Sequence, residues 1–166
     1  MKFGKDGRYA FDPKEDRLGE SPHIFPTLWG LSIFHYSRGQ MDKAVALAER
    51  FVDLELKIEG SGQEMPGQVL IGQMLLTTGR LEEARAALQR GLDLHDPMLH
   101  GHHVFVFGVD TRVFACCNLA IVLSLMGRFE EAIAVADMLD AHAAAIDNDH
   151  ATLSACFGQA TVGFIQ

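Results

Sequence analysis

Gly79-Arg80-Leu81-Glu82-Glu83-Ala84 lies near the middle of this 166-residue chain, and its pattern occurs twice more. Gly39-Gln40-Met41-Asp42-Lys43-Ala44 precedes it, and Gly127-Arg128-Phe129-Glu130-Glu131-Ala132 follows it. Each copy is a glycine, a polar residue, a large apolar residue, two mostly acidic residues and an alanine. The glycine can take the positive φ that closes a helix at low steric cost. The acidic pair falls in the first turn of a following helix, where negative charge complements the positive end of the dipole. The alanine leaves a flat spot at which the second helix can lie close against the first. Three helix–turn–helix corners of one kind predict a repeat protein.

Outward from the corners, apolar periodicity places the helices. In the first unit one helix runs from Ser21-Pro22 to about Arg38 and a second from Met41 to Ile58. The first has two apolar sides, Trp29, Ile33 and Tyr36 on one and Leu28, Leu31 and His35 on the other, as expected with a neighbour on each flank. The second unit pairs Glu64–Thr78 with Leu81–Leu94, and Asp96-Pro97 stops it because proline disfavours helical geometry before it. The third pairs Thr111–Met126, capped by Asp110 or Thr111, with Phe129–Ile146. Asp147-Asn148-Asp149 then turns the chain into an unpaired terminal helix from His150 to about Ile165. Its apolar stripe (Leu153, Cys156, Phe157, Ala160, Phe164) lacks cover, which predicts a homodimer through this helix.

Two regions depart from the rhythm. Residues 1–20 hold five basic and five acidic side chains and few aromatic anchors, and read as a weakly structured arm, with a short helix admissible over Pro13–Leu18. Corner glycines are 40 residues apart in the first interval and 48 in the second, and the extra length falls in residues 97–110. Val104–Phe107 has β-propensity but no strand to pair with, so an extended apolar loop tucked against the helices is expected.

Composition narrows the function. Apolar residues make up 48% of the chain and the formal charge is −8, with the acidic excess after residue 20. Such a chain buries a core and repels nucleic-acid phosphates. No basic cluster attracts an anionic bilayer, and no uninterrupted apolar stretch reaches the roughly 18 residues of a membrane span. The charged N-terminus does not resemble a signal peptide. Cys116, Cys117 and Cys156 form an odd set in apolar stretches, read as buried thiols in a reducing, cytoplasmic setting.

The corners and helix pairing resemble tetratricopeptide repeats, which implies a right-handed superhelix holding a protein or peptide segment in a concave groove. The intervals exceed the usual repeat of about 34 residues, the closing proline is present only as Pro97, and the Trp–Leu–Gly–Tyr signature is degenerate. Phe25-Pro26-Thr27-Leu28-Trp29-Gly30-Leu31 also resembles the opening of the repeat region in large bacterial ATP-binding regulators of the cyclase-associated and transcription-activator kinds. Leu94-His95-Asp96-Pro97 and Phe107-Gly108-Val109-Asp110, with Val113 and Cys116 beyond, extend that likeness. It implies a regulatory, protein-contacting region. No phosphate-binding loop is present, so nucleotide binding does not carry over.

If the first helix of each pair lines the groove, its candidate residues are Trp29, Ile33 and Tyr36, then Val69, Gln73 and Leu76, then Cys117, Asn118 and Ile121. Apolar anchors with two amides suit an extended or helical segment, and Gln73 or Asn118 would fix its register. The competing reading is that neighbouring helices simply bury these residues. His95, His100, His102 and His103 raise the alternative of a small-molecule or metal sensor over residues 95–107, with His100, His102 and His103 as candidate ligands. Their spacing matches no strong motif, and loop histidines are usually solvated. Cys116 and Cys117 sit in apolar settings that disfavour a thiolate, and Glu82-Glu83 and Glu130-Glu131 are solvated first-turn charges. Met65, Met74, Met98, Met126 and Met138 read as core filler first and adaptable contact surface second. The expectation is therefore an all-α array of three helix pairs with a terminal helix, non-catalytic, without cofactor, binding a protein segment.

Overall fold

The computed structural model describes residues 2–3, 9–10, 23–58 and 61–146. Two strands, β1 (Lys2–Phe3) and β2 (Tyr9–Ala10), pair antiparallel with Lys2 opposite Ala10. The admissible helix over Pro13–Leu18 and the terminal helix from His150 lie outside the described residues. Three long pairs carry the architecture: α1 (Ile24–Ser37) with α2 (Met41–Lys57), α3 (Glu64–Thr77) with α4 (Leu81–Asp93), and α7 (Thr111–Leu125) with α8 (Phe129–Ile146). Two short helices, α5 (Pro97–His100) and α6 (His103–Phe107), lie between the second and third pairs. The fold is an all-α helical repeat.

All three corners close in the same way. Gly39, Gly79 and Gly127 have φ of 69°, 76° and 73°. Each glycine N–H bonds back to the carbonyl three residues earlier (Tyr36, Leu76, Ser124), and the next residue's N–H bonds to the carbonyl five earlier (His35, Leu75, Leu123). This paired arrangement satisfies carbonyls that a helix end leaves orphaned, and its left-handed residue is open to glycine without a Cβ penalty. The next helix starts at once, with Ala44, Ala84 and Ala132 donating to the carbonyls of Gln40, Arg80 and Arg128. At two corners the acidic pair does more than face the dipole: Arg80 bonds Glu83 and Arg128 bonds Glu131, each through Nε and Nη2 to the two carboxylate oxygens. The Arg80 hydrogen bond holds the Glu83 carboxyl below its usual range.

The pairs stack because each second helix packs on the first helix of the next pair, α2 on α3 and α4 on α7, while α3 also meets α7. The corner alanines are fully buried, and so are Ser32 and Ala120 on the facing helices. In the second pair the same place is Gly72, where an added Cβ would lie 2.6 Å from Leu88 Cγ. One turn-multiple along, a Cβ on Gly91 would lie 2.9 Å from Val69 Cγ2. Glycine in mid-helix costs about 1 kcal/mol relative to alanine, so these two positions trade propensity for close approach of α3 and α4. Phe51, Met65, Leu70, Met74, Leu88, Leu119 and Leu139 fill the space between the helices.

The expected extended loop over 97–110 is a correction. The Asp96 carboxylate accepts from the Met98 N–H and caps α5, with Pro97 in its first turn. A further turn, α6, ends at Gly108 in the left-handed region at φ 76°. The β-propensity of Val104–Phe107 lost to tertiary context, because without a partner strand a helical turn satisfies more backbone groups locally.

Candidate partner-binding face

The first helices present matched rows, each residue placed alike relative to its corner glycine. The row farthest from the corners is Trp29, Val69 and Cys117, and all three are buried. Ile33, Gln73 and Ile121 follow, with the two isoleucines half-buried and the glutamine buried. Tyr36 and Leu76 are half-buried beside a buried Ser124. Nearest the corners, Ser37 and Leu125 are exposed and Thr77 is half-buried. Exposure therefore rises along the first helices toward the corners.

Different neighbours close the far row. Trp29 is only 3% exposed. Its ring centroid lies 5.0 Å from that of Phe107 on α6 and 5.7 Å from that of Phe114 on α7. Phe107 also approaches the Phe51 ring, at 6.4 Å. Val69 is covered instead by the close approach of Gly91, and Cys117 joins Val113, Cys116 and Leu139 in a small cluster. Trp29 thus belongs to the core rather than to an open surface. Asn118 does not offer its amide to a partner either: its Nδ2–H donates to the Phe114 carbonyl at 2.7 Å in its own helix. Ser124 Oγ is buried with no hydrogen-bond partner.

Four of the candidate residues, Ile33, Tyr36, Leu76 and Ile121, keep accessible surface. With the exposed Leu125 they line the half of the face between the corners and the 97–107 insertion. What sequence reasoning missed was the occupant of the other half. Phe107 carries a usable signal in its large apolar ring just before a glycine, yet its target 78 residues away cannot be read from spacing.

The insertion also gathers the histidines. Ring centroids run His95 to His100 at 5.7 Å, His100 to His103 at 4.8 Å and His103 to His102 at 5.2 Å. His103 is 2% exposed, contrary to the solvated loop expected for it. His103 Nδ1 and Thr111 Oγ1 share a hydrogen bond of 2.8 Å, and Thr111 Oγ1 also lies 3.2 Å from Met65 Sδ. Burial, reinforced by His100 and His102, pushes the His103 imidazole down to about 4, against the pull of Asp110. Among the described residues no three His, Cys, Asp or Glu side chains converge as a metal ion would require. Burial likewise pushes the thiols of Cys116 and Cys117 up, to about 11 and about 12, the wrong direction for nucleophiles.

Comparison with known proteins adds to this geometry. A tetratricopeptide-repeat family model matches residues 67–94, which span most of α3 and all of α4, and a second such model matches residues 113–138 in α7 and α8. This is a tetratricopeptide-like region. No curated protein and no solved structure matches the chain. Tetratricopeptide repeats generally mediate protein–protein contacts and are typically not enzymatic. The two matched stretches coincide with the pairs whose corners carry the Arg–Glu ion pairs. The first pair has Gln40 and Lys43 in those places, with Lys43 Nζ donating to Gln40 Oε1 at 3.2 Å.

Proposed function

We propose that this chain is a non-catalytic module that binds a protein or peptide segment along the first-helix face, between the corners and the insertion. One observation supports it most: Ile33, Tyr36, Leu76 and Ile121 keep accessible apolar surface at matched places on successive helices. Such a ladder meets the side chains of an extended or helical segment at repeating intervals. The setting it suits is regulatory and cytoplasmic, in line with the resemblance carried by Phe25–Leu31.

The test is affinity capture from the source cell, followed by titration of the captured segment against variants. Ile33→Ser and Ile121→Ser should each weaken binding at least tenfold, measured at a temperature where far-ultraviolet helicity shows each variant folded. Gln89→Lys, on the outer side of α4, should bind as the parent does. Equal affinity across all three variants ends the proposal. Self-association through residues 150–165 belongs to the same reading, and light scattering that finds a monomer at high concentration argues against it.

A further inference from the structure

The 97–107 insertion is long for the hold it has. Its eleven residues bury only two side chains, His103 and Phe107, both on α6. Several of its apolar side chains face outward: Met98 is 90% exposed and Phe105 89%. Gly101 precedes α6, and Gly108, at φ 76°, follows it, so backbone freedom lies at both ends of the anchor. One anchor is an aromatic ring on Trp29 and the other is a titratable ring on Thr111, 5.1 Å from Phe107.

We propose that residues 95–107 form a proton-released latch: the segment covers Trp29 when its histidines are neutral and lets go when they are protonated. The inference concerns the hold of α6 on α1 and α7, and stands whatever the remaining face binds.

The physical reason lies in the packing. The neutral His103 ring is hydrogen-bonded through Nδ1 to Thr111 within a buried junction, to which α1 and α3 contribute the neutral Trp29 and Met65. A second proton puts a full charge there. The charged and titratable groups that face it are His95, His100 and His102 from the insertion and its approach, and the Asp110 carboxylate at the start of α7. The three imidazoles disfavour a charge on His103, and the Asp110 carboxylate opposes them. Burial also lowers His100, against the pull of the Asp96 carboxylate and helped by His102; its Nδ1 accepts from the Asp96 N–H at 2.9 Å, a bond that protonation of that nitrogen breaks. The neutral form is the packed form. For groups whose folded value is depressed, the stabilisation is complete above the unfolded value of about 6.5 and is lost as pH falls toward the folded one. For His103 that window is about 6.5 down to about 4.

The chain has one tryptophan, and it is the residue covered. Its emission, read from pH 7.5 to pH 4 beside far-ultraviolet helicity, reports release directly. The expected result is a red shift within that window while helicity is retained. Phe107→Ala should show the red-shifted emission already at pH 7.5. Asp110→Asn keeps a capping side chain but removes the opposing charge, so its transition should move to lower pH. His103→Gln should abolish the transition above pH 4; if that variant fails to fold, Asp110→Asn decides. Constant emission down to pH 4, emission and helicity lost together, or an Asp110→Asn midpoint equal to or above the parent's each overturns the proposal.

Discussion

Ser32 Oγ donates a 2.8 Å hydrogen bond to the backbone carbonyl of Ala44, with both residues fully buried where α1 crosses α2. Gly72 and Ala120 take the place of Ser32 in the other pairs. The crossing therefore tolerates only a side chain small enough to let two backbones approach, and in the first pair that side chain also bonds across the gap.

Enlarging the crossing should destabilise all three pairs alike. Ala84→Leu and Ala132→Leu should each cost about 1–3 kcal/mol by overpacking. Gly72→Ala, favourable by helix propensity alone, should also lower stability, because its Cβ lands 2.6 Å from Leu88 Cγ. Chemical denaturation measures each, and a neutral Ala84→Leu would mean the helices do not meet there.

Trp29→Ala should behave as a core truncation. Loss of a buried aromatic in contact with Phe107 and Phe114 should cost about 3–5 kcal/mol, seen as a lower denaturation midpoint. A variant that melts normally but loses partner affinity would return Trp29 to the binding face.

Ser124→Ala should stabilise the chain by about 1 kcal/mol, since it removes a buried hydroxyl that has no hydrogen-bond partner. A loss of stability on thermal melting would instead point to packing that the hydroxyl oxygen supplies.

Native Cys116 and Cys117 should resist alkylation at pH 8, with thiols held at about 11 and about 12 and both buried. Mass spectrometry after iodoacetamide treatment should find them modified only once denaturant is added. Modification of either in the folded chain would mean that α7 opens readily.

The corners were legible because everything that makes them is local. A glycine's φ, two back-bonded amides and an acidic first turn all lie within eight residues of one another, from Leu75 to Glu82 for example. The fold class followed from finding that unit three times. Burial was not local. Trp29, Ile33 and Tyr36 share one side of α1, yet a ring on Phe107 separates the first from the other two. Mid-helix Gly72 and Gly91 admit Leu88 and Val69 on the facing helix, contacts that no spacing within either helix names. His103 illustrates the same limit, since imidazoles in a histidine-rich run look alike until one is turned inward onto Thr111.

Leu31 and Phe34 stand exposed on α1 at the places where Ile71 and Met74 of α3, and Leu119 and Val122 of α7, are packed against the preceding second helix. Among the described residues that edge of α1 carries no neighbouring hairpin, and its surface suits one. For anyone building with this scaffold, that edge is both a splice point and a liability. A grafted unit should click on there, whereas paired charges at positions 31 and 34 should keep an ungrafted chain from sticking to its neighbours.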